Sequence, residues 1–404
     1  MQEAIVIVGG GHAAAQLCIS LQELSLSNKV HLVCGEAYLP YQRPPLSKGF
    51  LKSLDETTQQ IRSDEWFEAS GVIFHKNRRA IRIDRIERTI LLDDGQKLTY
   101  RTLVLATGTR ARWLPQVPHD VTNALTLRTA ADAIVLRERL STARHLVVLG
   151  GGFIGLEVAA TARSLGKTVT VLEMAPRLMG RSASPDLSRF VFSMHVNQGT
   201  DIRLGSSIHC FECKDGRIVA VHLASGLVPC DLLLIAIGAQ PEVELAQEAC
   251  LACDNGVLVN SDMSTSDPNI YAIGDCASFL NRNGSRSRLE SIQNANDQAR
   301  VLAARLAGQN VAYSPVPWFW SEQGDLRLQM VGTLPMQPKT FHRSGASQMS
   351  FSLFHFDGER LACVESVNAP IDHIVSRKWL EVGLSPAPED VLDSSKSIKT
   401  LLTQ

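Results

Sequence analysis

Two glycine-rich stretches hold the residues best placed to do chemistry. The first, Val6-Ile-Val-Gly-Gly-Gly-His-Ala-Ala14, runs from an apolar strand through glycines into a helix and contains Gly9-x-Gly11-x-x-Ala14. The first glycine permits a tight turn, the second lets backbone approach a pyrophosphate, and the third small residue lets the helix pack on the strand. His12 and Ala13 open that helix, whose free N–H groups and positive dipole end suit phosphates. A second strand, Val30 to Cys34, follows at the βαβ distance, and Glu36 closes it with a carboxylate that can accept from a ribose diol.

The second stretch is the fuller fingerprint. His145-Leu-Val-Val-Leu-Gly-Gly-Gly-Phe-Ile-Gly-Leu-Glu157 contains Gly150-x-Gly152-x-x-Gly155, with Phe153 and Ile154 between the last two glycines and a helix expected over Leu156 to Leu165. The next strand, Val169 to Leu172, ends at Glu173, 23 residues after Gly150. Glu173 is placed to accept from an adenosine 2′-OH and to repel a 2′-phosphate, which favours NADH over NADPH, while Arg177 and Arg181 nearby pull the other way. Two fingerprints 141 residues apart imply two dinucleotides held against each other. That combination is a flavin with a nicotinamide.

The surrounding elements must position these groups. A chain of 404 residues is long for one core, and 45% apolar with 20% charged residues fits an ordinary globular enzyme. The net charge of −1 argues against a nucleic-acid or membrane-surface protein. The first residues enter a strand without a secretory signal, and the best apolar run, Leu232 to Ile237, is strand-sized, so a cytoplasmic location without membrane insertion is expected. The fold class expected is α/β, with two Rossmann-like dinucleotide-binding domains and a small α+β C-terminal domain. Residues 1–114 and 241–319 would form a discontinuous first domain, 115–240 the second and 320–404 the third, with Trp113-Leu-Pro115 as a boundary.

Within the first domain, Val72 to Val104 reads as a meander of short alternating strands with a turn at Asp93-Asp-Gly95, and its cations Lys76, Arg78, Arg79, Arg82, Arg85 and Arg88 read as a solvent face. Leu103 to Thr109 follows as a buried strand that brings Ala106, Thr107 and Gly108 to the carboxyl edge of the sheet, where ligands bind in open α/β folds. Leu232 to Gly238 closes the inserted domain. Asn269 to Asp275 returns to the first, putting Gly274 and Asp275 within reach of ribityl or phosphate oxygens.

Between Glu36 and the meander lies Tyr38 to Gly49, a loop with three prolines in which Arg43 and Lys48 are either solvated cations or functional ones. Nine cysteines without a signal fit free thiols. Cys210-x-x-Cys213 and Cys250-x-x-Cys253 have zinc-ligand spacing, but the first pair lies in an alternating stretch before a Lys214-Asp-Gly216 turn, which reads as a strand with its thiols on opposite faces. No metal site is expected.

With these motifs the chain resembles the FAD-dependent pyridine-nucleotide oxidoreductases, a group of glutathione-reductase-like architecture, and among them the NADH-dependent ferredoxin reductases of bacterial oxygenase systems. The resemblance rests on Arg43-Pro-Pro-Leu-Ser-Lys48, Ala106-Thr-Gly108, Gly150 to Glu157, Ile273-Gly-Asp275, Arg288-Leu-Glu-Ser-Ile-Gln-Asn294 and Pro317-Trp-Phe-Trp-Ser321. It implies FAD on the first fingerprint and NADH on the second. Glu36 would hold the FAD ribose, Lys48 would lie near flavin N5, Ala80 would offer backbone to the adenine, Arg43 and Arg128 would face the FAD nucleotide, and Asp275 would bind the ribityl chain. Ile292 would touch the ring where this family often has tryptophan. Glu157 would approach both Lys48 and the nicotinamide, Arg181 and Gly238 would complete the NAD set, and Trp320 would pack beside the flavin near the outward electron route.

The activity so implied is that of a ferredoxin–NAD(+) reductase passing electrons singly to a small acidic [2Fe–2S] ferredoxin that feeds a P450 or a ring-hydroxylating oxygenase, as a monomer or homodimer. Arg282-x-x-x-Arg286-x-Arg288 is either a ferredoxin contact or a solvated loop. No cysteine lies between Cys34 and Cys210, where disulfide-reducing relatives carry theirs, which argues against a dithiol mechanism. A rubredoxin reductase, a simple NADH oxidase and an NADH-controlled interaction flavoprotein like apoptosis-inducing factor are the competing readings.

Overall fold

The structure, a computed structural model, describes residues 4–27, 29–281, 284–394 and 396–402. The chain divides into two compact units. One is built from residues up to 42, 58–110 and 239–315, the other from 43–57, 111–238 and 316 onward.

In the first unit, Ile5–Val8 is the centre of a five-stranded parallel sheet ordered Ile270–Ala272, Thr102–Leu105, Ile5–Val8, Val30–Cys34, Ile73–Lys76. Ile5–Val8 and Thr102–Leu105 are buried at every position, as parallel strands covered on both faces must be. The helices His12–Glu23 and Ile292–Leu306 pack together, so the first fingerprint and a segment nearly 300 residues later share one core. One expectation is corrected. Ile73–Lys76 is the edge strand of the parallel sheet, and the antiparallel meander is confined to Ala80–Asp84, Thr89–Leu92 and Lys97–Thr99. Four residues of alternating pattern carry no information about which neighbour they pair with.

In the second unit, a parallel sheet runs Asp201–Arg203, Thr168–Leu172, His145–Leu149, Leu232–Ile235, Ala124–Leu125. The helix after the second fingerprint spans Phe153–Ser164 and starts earlier than its apolar periodicity suggests, with Gly152 as its N-cap. Glu157 therefore lies in its second turn. Ile208–Lys214, Arg217–Leu223 and Gly226–Pro229 form a separate antiparallel sheet, with register shifts between Ile208 and Cys210 and between Glu212 and Cys213, and both Cys210 and Cys213 are exposed on it.

The C-terminal part is a five-stranded antiparallel sheet ordered Trp318–Gln323, Leu326–Gly332, Arg360–Val367, Phe351–Asp357, Lys339–Ser344. The helix Pro370–Val382 packs on it through the fully buried Trp379. This is the small α+β element expected, with Lys339–Ser344 as a strand whose polar, charged composition hides it. Among the described residues no helix is long and apolar enough to cross a membrane, and no three metal-ligating side chains cluster.

Candidate active site

In the first unit the fingerprint is held by close approach. Gly9 has φ +127°, and a Cβ there would stand 2.1 Å from the Ala106 carbonyl oxygen, so the turn excludes any side chain and brings Ala106 against it. Gly11 caps the helix His12–Glu23 without a side-chain hydrogen bond, and a Cβ on it would meet nothing within 4 Å. A helix start that follows a glycine turn in this way is the kind of backbone that suits a pyrophosphate. Ala14, in the first turn of that helix, is fully buried, and the His12 ring nitrogen Nε2 lies 2.9 Å from Gln42 Oε1. Gly274, at φ +78°, would place a Cβ 2.9 Å from that of Ala13, which joins the Gly274-Asp275 turn to the same helix start.

Around this start, Glu36 Oε2 accepts from the Tyr41 hydroxyl at 2.6 Å. Thr107 donates to the Glu242 carbonyl at 2.7 Å, and the Gly108 carbonyl accepts from the Glu242 N–H at 3.0 Å. The Asp275 carbonyl accepts from Arg288 at 3.1 Å. Ala80 opens a meander strand, and Ile292 opens the helix capped by Ser291. Arg43, Lys48, Arg128 and Trp320 belong to the second unit.

There, a Cβ on Gly150 would meet the Ala236 carbonyl oxygen at 2.5 Å, and one on Gly155 would meet the Gly150 oxygen at 2.3 Å, the tight helix-on-strand packing a third glycine allows. Gly152 again caps a helix with no side-chain bond, and a Cβ on it would meet nothing within 4 Å. Phe153 lies edge-on to Phe319, and Ile154 is 46% exposed on the first turn. Glu173 accepts from the Gly151 N–H at 2.6 Å and the Ala175 N–H at 2.7 Å, which fixes the carboxylate and leaves it further lone pairs. Arg177 is turned inward onto the carbonyls of Ala183 and Gly180. Arg181 lies over Gly238, its Nη2 3.1 Å from where a Cβ would be.

The proline-rich loop folds as a short 3-10 turn, Pro44–Ser47, that delivers Lys48 to Glu157. Lys48 Nζ lies 2.6 Å from Glu157 Oε2, Ser47 donates to the same oxygen at 2.5 Å, and Ser321 donates to Oε1 at 2.7 Å. Glu157 is 4% exposed, so its charge is out of water and held by a cation and two hydroxyls. Thr161 ties the loop down by donating to the Ser47 carbonyl at 2.9 Å, and Arg43 donates to the Arg128 carbonyl at 2.8 Å. Neither loop cation is a free surface charge. Ser321 follows Trp320, whose ring stacks on Trp318 with centroids 5.8 Å apart. Ser47 and Ser321 carry no signal of their own in sequence, since serine is common in turns and strands alike.

The arginine run is only partly a basic surface. Arg282 lies outside the described residues, Arg286 donates to the Ser278 carbonyl, and Arg288 is paired with Glu290 at 2.7 Å.

Residues 3–299 match the pyridine nucleotide-disulphide oxidoreductase family, and residues 318–402 match the reductase C-terminal family. The chain belongs to the pyridine nucleotide-disulphide oxidoreductase family. Membership brings an oxidoreductase that uses a flavin and a pyridine nucleotide. It is 39% identical to rhodocoxin reductase of Rhodococcus erythropolis, over 99% of this chain and 95% of that one. It is 36% identical to putidaredoxin reductase of Pseudomonas putida, over 98% and 96%. Among solved structures it is similar to the ferredoxin reductase for the CYP199A2 system from Rhodopseudomonas palustris, with TM-score 0.95, 40% identity and 99% of both chains covered. It is also similar to the reductase of a covalent putidaredoxin reductase–putidaredoxin complex, with TM-score 0.94, 36% identity and 100% and 98% covered. The family's name refers to disulphide chemistry, but the cysteine of the first helix is poorly suited to it, because burial pushes the Cys18 thiol up to about 12.

Proposed function

We propose that the protein is a ferredoxin–NAD(+) reductase, taking a hydride from NADH and passing electrons one at a time to a [2Fe–2S] ferredoxin that feeds a P450 or ring-hydroxylating oxygenase. The observation that carries the reading is a pair of strand, glycine turn and helix units, whose helices start after Gly11 and Gly152 with no side-chain cap, in a chain similar throughout its length to rhodocoxin and putidaredoxin reductases. On this reading residues 1–114 and 241–319 hold FAD, 115–240 hold NADH, and 320–404 form the small C-terminal domain.

Gly9, Gly11 and the first turn of His12–Glu23 would take the FAD pyrophosphate, Glu36 the ribose and Asp275 the ribityl chain. Gly150, Gly152 and Phe153–Ser164 would take NADH in the same way, with Glu173 on the adenosine ribose. Bound FAD supplies acceptance of two electrons together and their release singly. Lys48 supplies positive charge where negative charge develops on reduction, and Glu157, Ser47 and Ser321 hold that ammonium in place. Trp320 would lie on the outward electron route. The nine free cysteines support work in a reducing compartment such as the cytoplasm.

Anaerobic stopped-flow mixing of the yellow holoenzyme with NADH, then with two-iron ferredoxins, tests the reading. Fast bleaching and fast onward transfer are expected. Transfer to rubredoxin alone would reassign the partner, bleaching with electrons accepted only by oxygen would make it an oxidase, and absence of bound flavin would overturn the proposal.

A further inference from the structure

Glu157 is the end of a longer chain of buried groups. Ser321 Oγ lies 2.7 Å from Glu157 Oε1, Gln323 Nε2 lies 3.2 Å from Ser321 Oγ, and His195 Nε2 lies 2.9 Å from Gln323 Oε1. Ser321, Gln323 and His195 are each at most 1% exposed, and the other ring nitrogen of His195, Nδ1, has no partner. Three elements contribute: the strand Trp318–Gln323, the helix Pro185–Asn197 and the helix Phe153–Ser164.

The direction of every bond in this chain is dictated from the carboxylate outward. An ionised carboxylate only accepts, so the Ser321 hydroxyl must donate to it. The Ser321 oxygen must then accept, which turns the Gln323 amide group toward it. The Gln323 carbonyl oxygen is left facing His195, which must carry its proton on Nε2. Burial lowers the pKa of His195, which keeps that ring neutral and the assignment single. Three donors in series all point at one negative charge, an arrangement in which each bond polarises the next. Lys48 is the charged side chain bonded to Glu157; the side chain of the neighbouring Glu322 is exposed.

We propose that Gln323 and His195 are positioning residues for hydride transfer, acting through Ser321 to hold the Glu157 carboxylate in the one orientation that fixes Lys48. The proposal rests on the reading of Lys48 and Glu157 as the hydride-transfer pair. Neither Gln323 nor His195 stands in either fingerprint.

Two measurements on the FAD-loaded protein test it. The first is nitrogen-15 NMR of the His195 ring in the unreacted protein. The proton is expected on Nε2, with the Nε2 signal shifting on Glu157→Gln, three hydrogen bonds away, because a glutamine amide can donate and removes the constraint on direction. A proton on Nδ1, or a signal indifferent to Glu157→Gln, would overturn the relay. The second is single-turnover flavin reduction. Gln323→Leu and Ser321→Ala are expected to slow the limiting rate about tenfold, the scale of losing a hydrogen bond to a charge, with the dissociation constant of NADH unchanged. Ser321→Thr, which keeps the hydroxyl, should restore most of the rate even if Gln323→Leu folds poorly. Equal losses in Ser321→Ala and Ser321→Thr, or unchanged rates, would overturn the positioning role. Failure of the wild-type protein to bleach with NADH would instead overturn the ferredoxin-reductase reading, and the NMR result would stand apart from it.

Discussion

Gly274 sits against Ala13, so close that a Cβ on the glycine would lie 2.9 Å from that of the alanine. Two motifs 261 residues apart are thus one structure, with the Gly274-Asp275 turn seated at the start of the helix that follows Gly9 and Gly11. At φ +78° the position is also a strained one for any other residue. We expect Gly274→Ala to cost roughly 1–3 kcal/mol of stability from backbone strain alone. The protein should lose FAD during purification, read as a lower ratio of absorbance at 450 to 280 nm. Full flavin content with an unchanged melting temperature would show that the turn adapts.

The pair at Glu157 calls for a different test. Lys48→Met keeps the length of the side chain and removes its charge, leaving a nearly buried carboxylate with two hydroxyl donors and no cation. Because Lys48 is 18% exposed and the hydroxyls remain, the loss of stability should fall below the range for a stripped buried pair, at about 1–3 kcal/mol. Flavin reduction by NADH should slow at least tenfold in a single turnover. Adding Glu157→Gln should return most of the stability but not the rate, since the amide needs no cation. A double variant no more stable than Lys48→Met would mean the two side chains are not energetically coupled.

The helix that packs on the C-terminal sheet holds an acid-sensitive group. His373 is buried edge-on to Trp318 with neither ring nitrogen hydrogen-bonded, and burial, with Arg377 and Arg327 adding to it, lowers its pKa from 6.5 to about 4. The unfolded chain therefore binds a proton that the folded one refuses between those values. Stability is full above pH 6.5 and is lost as the pH falls toward 4. Between pH 7 and pH 5 the loss from this one group should be about 2 kcal/mol. His373→Phe, which fills the space without a proton site, should flatten that part of the urea-denaturation profile. A variant as acid-sensitive as the wild type would assign the sensitivity elsewhere.

The glycine fingerprints can be read from sequence because their constraint is local. Gly9, Gly150 and Gly155 are glycines for reasons that act within a few ångströms, on Ala106, Ala236 and Gly150, and a strand, turn and helix in succession announce them. What surrounds Glu157 is not local. Ser47, Ser321, Gln323 and His195 reach it from three segments, and nothing in the type or spacing of a serine or a buried histidine says so. The same holds for Ile73–Lys76, whose membership of the parallel sheet depends on the partner strand Val30–Cys34 rather than on its own four residues. Arg288 shows the converse, a cation whose place in a basic run suggests a free surface charge while Glu290 and the Asp275 carbonyl engage it.

We expect Glu173 to select the nicotinamide cofactor. Two backbone N–H groups, from Gly151 and Ala175, orient it at 2.6 and 2.7 Å and hold its negative charge in front of the second glycine turn. Arg177 is spent on backbone carbonyls, whereas Arg181 stands over Gly238. Glu173→Ala should therefore remove the repulsion of a 2′-phosphate and leave Arg181 to attract it. The KM for NADH should rise about tenfold, the scale of one hydrogen bond to a charged group, while the KM for NADPH falls and kcat with either changes little, because the adenosine end binds ground state and transition state alike. Adding Arg181→Ala should undo the gain with NADPH and leave the loss with NADH. If instead Glu173→Ala lowers kcat with both cofactors, the carboxylate holds the glycine turn together and does not select the cofactor.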